Sequence, residues 1–491
     1  MSNSPSPAAP PAHPGADVEA SRHPARQEGG WADLFRPPHL TAALILAGGV
    51  ALYAMNLYFT AALMPSIVDD IGGARYYAWV ATGFLMAAVI ASMLVSRVLG
   101  GMGAARSYTV GFSVFGLGAA LNAVSPSMEM LILGRVVQGF GGGLLAGLGY
   151  AVIRSALPDR LWTRAAGLVS AMWGVGTLVG PALGGLFAQL DAWRWAYGLL
   201  LLAALVLAVL SPRALPREPR TARETAPVPW FSLVLLTLSA ATFSVGSTLP
   251  PGFATVAAVL VGGVLIVLFI VVDRRGKATV LPQLTYHRAN NLKWVYLTVA
   301  ALCAGVMVET FIPLFGQELG GLGPLAAGLL GAALSVGWVV AQLFSVNLVA
   351  ERARSLAIRL GPVVLAVGLI IYGTLQVGEA STVRMIVFAV VLFVAGAGIG
   401  VAFPHLSVAA LRSTQDEQEG SKAAAALNTT QLIAYSVTSA IAGTLVSMGG
   451  PSLLDSARYM ILGVAAITVV GTLTGALATP GLNRSKAASG R

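Results

Sequence analysis

Long apolar runs separated by short polar or charged segments occupy the chain from Leu40 to Ala478. A helix needs about 20 mostly apolar residues to cross the hydrocarbon core of a bilayer. Fourteen stretches meet that length: 40–63, 77–96, 107–125, 129–153, 165–188, 195–211, 230–249, 252–272, 294–316, 325–349, 356–377, 383–406, 423–448 and 457–478. The seventh and eighth are split only by Pro250-Pro251-Gly252 and carry no ionisable residue from Phe231 to Val272. They read as an inserted hairpin, and removing them leaves six helices followed by six. The pattern predicts an all-α polytopic membrane protein of 14 transmembrane helices, two six-helix bundles plus an inserted pair. Its segments are a disordered tail over 1–38, a first bundle over 39–211, loops with the inserted pair (230–272) over 212–291, a second bundle over 292–479, and a tail over 480–491.

Charge fixes the expected orientation. Of the 30 Lys and Arg residues, Arg75, Arg194, Arg384 and Arg458 fall on one side, Arg135 lies inside a helix, and the other 25 share the side that holds both termini. By the positive-inside rule that side is the cytoplasm, which makes this a multi-pass protein of the inner (cytoplasmic) membrane. Composition agrees: 56% of residues are hydrophobic, 10% are charged, and mean hydropathy is +0.78. A chain so poor in charge cannot present a soluble surface. Its net charge of +10 therefore reads as topology and not as a nucleic-acid footprint. The single cysteine, Cys303, excludes an internal disulfide and a cysteine metal cluster. There is no G-K-[ST] phosphate loop, no H-E-x-x-H and no G-x-S-x-G, so no ATP drive, catalytic constellation, metal or other cofactor is expected. The expected partners are the bilayer, a small molecule and protons, with the protein acting as a monomer.

Few polar residues remain within the spans. An ionisable side chain there is costly and marks function by default. Arg135 sits about two turns into its helix, where it either snorkels to the interface or serves transport. Glu309 is the carboxylate placed mid-helix; it either bonds a neighbouring helix or faces a water-filled cavity, a setting that suits reversible protonation. His405 closes its helix after Phe403-Pro404 and is a candidate proton relay. Asn56, Tyr58, Gln317, Asn428 and Gln431 either line the cavity or tie helices together. Asp69 and Asp70 are expected to cap the first helix or to pair with Arg75.

Four motifs give the chain a resemblance. Arg135-Val-Val-Gln138-Gly139 matches R-x-x-Q-G. Gly167, Gly176, Gly180-Pro181 and Gly184-Gly185 match in full a signature of glycines in the fifth helix. Asn56 to Pro65, and Ile312-Pro-Leu-Phe-Gly-Gln317 with Gly320 and Pro324, resemble two further segments, the first departing at Asn56 and Tyr58. In these the chain resembles the major facilitator superfamily, in its 14-helix drug:proton antiporter branch. The resemblance implies that fold, and secondary active efflux of small amphiphilic compounds in exchange for protons by alternating access. It also implies that Arg135 and Gln138 belong to the site, and that Arg97, Arg106, Glu351 and Arg352 belong to a cytoplasmic gate.

Two acids of the family pattern are replaced, one by Asn56 and one by Gly100. With the first-helix acid gone, the proton-coupling role moves to Glu309. The same losses keep an alternative open, a facilitator or a dedicated exporter of one metabolite or lipid without proton coupling. Gly176, Gly180 and Gly184 repeat at four residues and so form one stripe, against which another helix can press.

Overall fold

The computed structural model describes residues 31–215, 227–250, 252–288, 290–348, 350–414 and 417–479. The expected tails over 1–30 and 480–491, and Arg217, Arg220 and Arg223, lie outside them. Residues Trp31–Leu34, assigned to the tail above, form one helical turn that buries Leu34. The main helices are α1 (His39–Ile71), α2 (Tyr77–Ala123), α3 (Met128–Ala151), α4 (Trp162–Gln189), α5 (Trp193–Ala214), α6 (Trp230–Gly246) and α7 (Phe253–Arg275). They continue with α8 (Leu292–Val306), α9 (Ile312–Glu318), α10 (Pro324–Ser345), α11 (Glu351–Thr374), α12 (Thr382–Leu411), α13 (Glu417–Met448) and α14 (Leu453–Ala478).

Among the described residues, 12 helical segments are long and apolar enough to cross a membrane. The expectation of 14 differs from this in two places. The segments read as the second and third spans run together as α2, 47 residues whose helical path breaks at Gly103 (φ 73°, ψ 171°). That backbone geometry is closed to a residue with a Cβ, so a glycine marks the break. The helix α6 is apolar but has only 17 residues.

A third difference lies in the span expected over 294–316. It is not one helix. It is α8, a 3₁₀ segment Met307–Thr310, and then α9. Pro313 stands in the first turn of α9, where its missing N–H is harmless. Start signals elsewhere are conventional: the hydroxyls of Ser127, Ser381 and Ser452 accept the backbone N–H groups of Met130, Arg384 and Asp455 at the heads of α3, α12 and α14.

Packing sorts the helices into two groups. In the first, α1 packs on α4 while α2 packs on α3 and α5. In the second, α12 packs on α10 and α11, and α14 on α8 and α11. The groups meet through α4 against α10 and α2 against α13. The hairpin α6–α7 lies outside, resting on α13 and α2. The segment α8–α9 is 83% buried in its most apolar window and α7 only 17%, so the former is central and the latter peripheral.

Candidate functional site

The break between α8 and α9 puts Glu309 where the two groups meet. Its side chain is 4% exposed. The Ser335 backbone N–H of α10 donates to Oε1 at 2.8 Å, and the Ser335 hydroxyl donates to Oε2 at 2.9 Å. The Tyr58 side chain of α1 lies near Ser335 and within electrostatic range of Glu309. The same 3₁₀ segment is pinned to the first group by Tyr77. Its hydroxyl donates to the Thr310 carbonyl at 3.3 Å, and its ring stacks on Phe311 at 4.9 Å. A polar link between Thr82 and Ser439 (3.2 Å) joins the groups again.

Arg135 does not snorkel. It is 1% exposed, its Nε donates to the Val80 carbonyl (3.3 Å), one terminal nitrogen donates to Gln138 Oε1 (2.8 Å), and its guanidinium carbon sits 4.1 Å from the centre of the Phe84 ring. Asn122 donates to the same Gln138 oxygen at 3.1 Å. Among the described residues no carboxylate pairs with Arg135, whose charge is met by a carbonyl, an amide and an aromatic face. Tyr53 and Tyr197 stand near it.

Several buried polar atoms on the helices that carry these two centres lack protein partners. Both amide atoms of Asn56, the hydroxyls of Tyr53, Tyr58 and Tyr435, and the side-chain nitrogens of Gln138 and Gln317 are buried and unpaired. A buried polar atom left unpaired costs about 1–3 kcal/mol. Unpaired groups of this kind are few in a folded protein, so each calls for an explanation. Tyr53 lies near both Arg135 and Tyr58. Tyr435 and Gln431 lie beside Cys303. Tyr53 of α1 stacks on the Phe84 ring (5.6 Å) that also meets the Arg135 guanidinium (4.1 Å), which joins α1, α2 and α3 at Arg135. Asn428 is half-buried on α13, one turn before Gln431.

Other expected residues lie elsewhere. The imidazole Nε2 of His405 is 2.9 Å from the Ser345 hydroxyl, which itself donates to the Val401 carbonyl. Ser345 and Ser335 are ten residues apart on α10, about 15 Å along the axis. His405 is thus separate from the Glu309 cluster. Asp70 pairs with Arg194 and accepts from the Trp193 ring nitrogen (3.1 Å), and not from Arg75, which lies over the Tyr76 ring. Arg97, Arg106, Glu351 and Arg352 are exposed, and among the described residues they form no ion pair.

The glycine stripe of α4 packs within its own group. A Cβ at Gly176, Gly180 or Gly184 would come within 2.5–2.7 Å of α1, at Ala54, the Met55 carbonyl and the Phe59 carbonyl. Gly185 instead faces the other group: its Cβ would lie 2.7 Å from the Leu325 Cα and 2.9 Å from the Pro324 carbonyl oxygen. The Pro181 carbonyl meets Gly328 of α10 in the same way. Gly167 meets only the rim of the Trp31 ring.

Sequence reasoning missed Ser335, Tyr53, Asn122 and Tyr435. Asn122 was open to the test that selected Asn56, a polar amide in an apolar run. A serine or a tyrosine in such a run carries little signal.

Comparison with known proteins adds the following. A family model described as Major Facilitator Superfamily matches residues 46–439. A "Probable multidrug-efflux transporter" of Mycobacterium tuberculosis is 43% identical over 462 residues, covering 93% of this chain and 98% of that one. The "Multidrug efflux pump SdrM" of Staphylococcus aureus is 25% identical over 416 residues, covering 84% and 90%. A crystal structure of a D-xylose-proton symporter superposes with a TM-score of 0.64 at 15% identity, covering 90% of this chain and 97% of that one. These relatives are transporters.

Proposed function

This chain belongs to the major facilitator superfamily, and from that premise we propose that it is an efflux transporter for small amphiphilic compounds, driven by proton antiport. Two relatives named for multidrug efflux, one matching nearly end to end, support the substrate class. The observation that carries the coupling is Glu309. It is buried in a helix break, held by α10, and placed within electrostatic range of Tyr58 of the opposing group. Broken helices at a bundle interface are where transporters of this kind bind substrate and ion.

In this reading α1–α5 and α8–α14 are two bundles of six crossings each, and α6–α7 is the inserted pair. A 47-residue run extends about 70 Å, twice the hydrocarbon thickness, so α2 supplies two crossings hinged at Gly103. Both termini lie in the cytoplasm and the unit is a monomer. Protonation at the outer face neutralises Glu309, which lets the carboxyl stay buried while the bundles rock. Substrate arriving from the inner side displaces the proton. Arg135, Gln138, Asn56, Tyr58, Gln317, Asn428 and Gln431 line the path between. Arg97, Arg106, Glu351 and Arg352 form the inner gate, and His405, next to Ser345, relays protons at that end.

Dye uptake into everted membrane vesicles, with and without a pH gradient, tests the proposal. Antiport predicts that uptake into the vesicles collapses when the gradient is discharged. Uptake that follows the dye gradient alone would instead support the facilitator that Asn56 and Gly100 leave open.

A further inference from the structure

A large apolar cavity lies away from the contact between the two groups. It lies between the inserted hairpin and the second group, with a volume of about 860 Å³. Leu236 of α6, Phe269 of α7, Leu297 and Ala301 of α8, Ala434 of α13 and Val470 of α14 line it. Leu297 and Val470 are about half exposed, so the cavity opens sideways at the level of the hydrocarbon. Its polar end carries three cations, Arg274 at the foot of α7, Arg288 in the following loop and Lys293 at the head of α8. Among the described residues no acidic side chain lines it.

That end is built, not incidental. Asp273 is fully buried and accepts from the backbone N–H groups of Val280 (2.8 Å) and Leu281 (3.2 Å) and from the Tyr286 hydroxyl (2.7 Å). The carboxylate folds the loop back under the hairpin. Its oxygens are taken up by these neutral donors, and among the described residues it forms no ion pair with the three cations. Lys293 is tethered to the Arg288 carbonyl (3.0 Å) and leans on the Trp294 ring. Lys293 is thereby held against the Arg288 backbone, and Arg274 lines the same cavity.

We infer that this groove is a binding site for an anionic phospholipid, its phosphate held by Arg274, Arg288 and Lys293 and an acyl chain lying in the groove. An apolar cleft open to the bilayer fills with lipid chain, and a basic pocket between spans at the same end selects a negative headgroup. The lipid would fasten the hairpin to α8, α13 and α14, where protein packing is loose enough to leave the cavity. The inference does not depend on what the transporter carries.

The test is native mass spectrometry of the full chain released from detergent and supplied with phosphatidylglycerol or phosphatidylcholine. Wild type is expected to retain phosphatidylglycerol, and phosphatidylcholine about 100-fold less. The combined Arg274→Gln, Arg288→Gln, Lys293→Gln variant should lose that preference, since each surface cation contributes about fivefold. Equal retention of the two lipids by wild type, or an unchanged preference in the variant, would overturn the inference. A second measurement needs no variant. Phosphatidylglycerol with a photoreactive group in its acyl chain should label peptides from 296–304 and 430–441 in wild type. Labelling confined to α7, or spread evenly over all exposed helices, would also overturn it.

Discussion

Gly185 offers a way to move one conformational equilibrium without touching the polar site. Its α-carbon lies against the backbone of Leu325 and Pro324 across the two helix groups. Carbon atoms pack at about 3.5–4.0 Å. A methyl 2.7 Å from the Leu325 Cα must therefore push α4 and α10 apart by about 1 Å. The obstacle is backbone and cannot rotate away. Overpacking of this kind costs about 1–3 kcal/mol. The cost falls only on the state in which these ends touch. Gly185→Ala should therefore shift the closed-to-open ratio at this end by about 5- to 150-fold. Gly184→Ala is the control. Its Cβ would meet the Phe59 carbonyl at 2.5 Å, but within one group, so it should lower thermal stability without changing the ratio. Spin labels at Leu190→Cys and Glu379→Cys, both exposed and one on each group, report the separation. Gly185→Ala is expected to populate a longer distance and Gly184→Ala to leave the wild-type distribution. If both variants gave the wild-type distribution, or both shifted it, the reasoning from this contact would be refuted.

Three further outcomes follow from the geometry. Glu309→Gln keeps an acceptor for the Ser335 N–H and a donor for its hydroxyl, so its melting temperature should stay near wild type, whereas Glu309→Ala strands both groups and should cost about 2–5 kcal/mol in thermal unfolding. Arg135→Lys cannot reach the Val80 carbonyl and Gln138 together from one ammonium, and its dye efflux should fall at least about tenfold although the charge is kept. Burial, and then its hydrogen bond to Asp273, push the Tyr286 phenol up from its ordinary range, so it remains a donor to Asp273 at working pH; Asp273→Ala leaves three donors unpaired and should speed proteolytic cleavage within 276–288.

Much of this architecture was legible from apolar run length and from the side on which each arginine falls. Those signals are carried by many residues at once. What they could not place was the interruption of a run by geometry. Nothing in the apolar block over 294–316 announces that the helix tightens at Met307–Thr310, because Glu309 and Pro313 are both compatible with a continuous span. The Gly103 break was hidden for a related reason: a glycine in a loop and a glycine at a kink look the same in sequence. The site was half legible. Charge and amide composition selected Arg135, Glu309 and Asn56, since such groups are rare in apolar helices. The partner of Glu309 was not selected, because Ser335 becomes informative only once α10 is brought to Glu309. The glycine spacing predicted a stripe, but spacing does not say which helix meets it. The stripe meets α1, and Gly185 alone of the α4 signature glycines meets α10.

The central claim is that Glu309 gives up a proton when substrate binds. It is tested most directly by adding a transported dye to purified protein in lightly buffered detergent and following the pH. The account predicts acidification with wild type and none with Glu309→Gln, which keeps the Ser335 contacts and so the fold. Equal acidification by the two proteins, or none by a wild type that binds the dye, would contradict it.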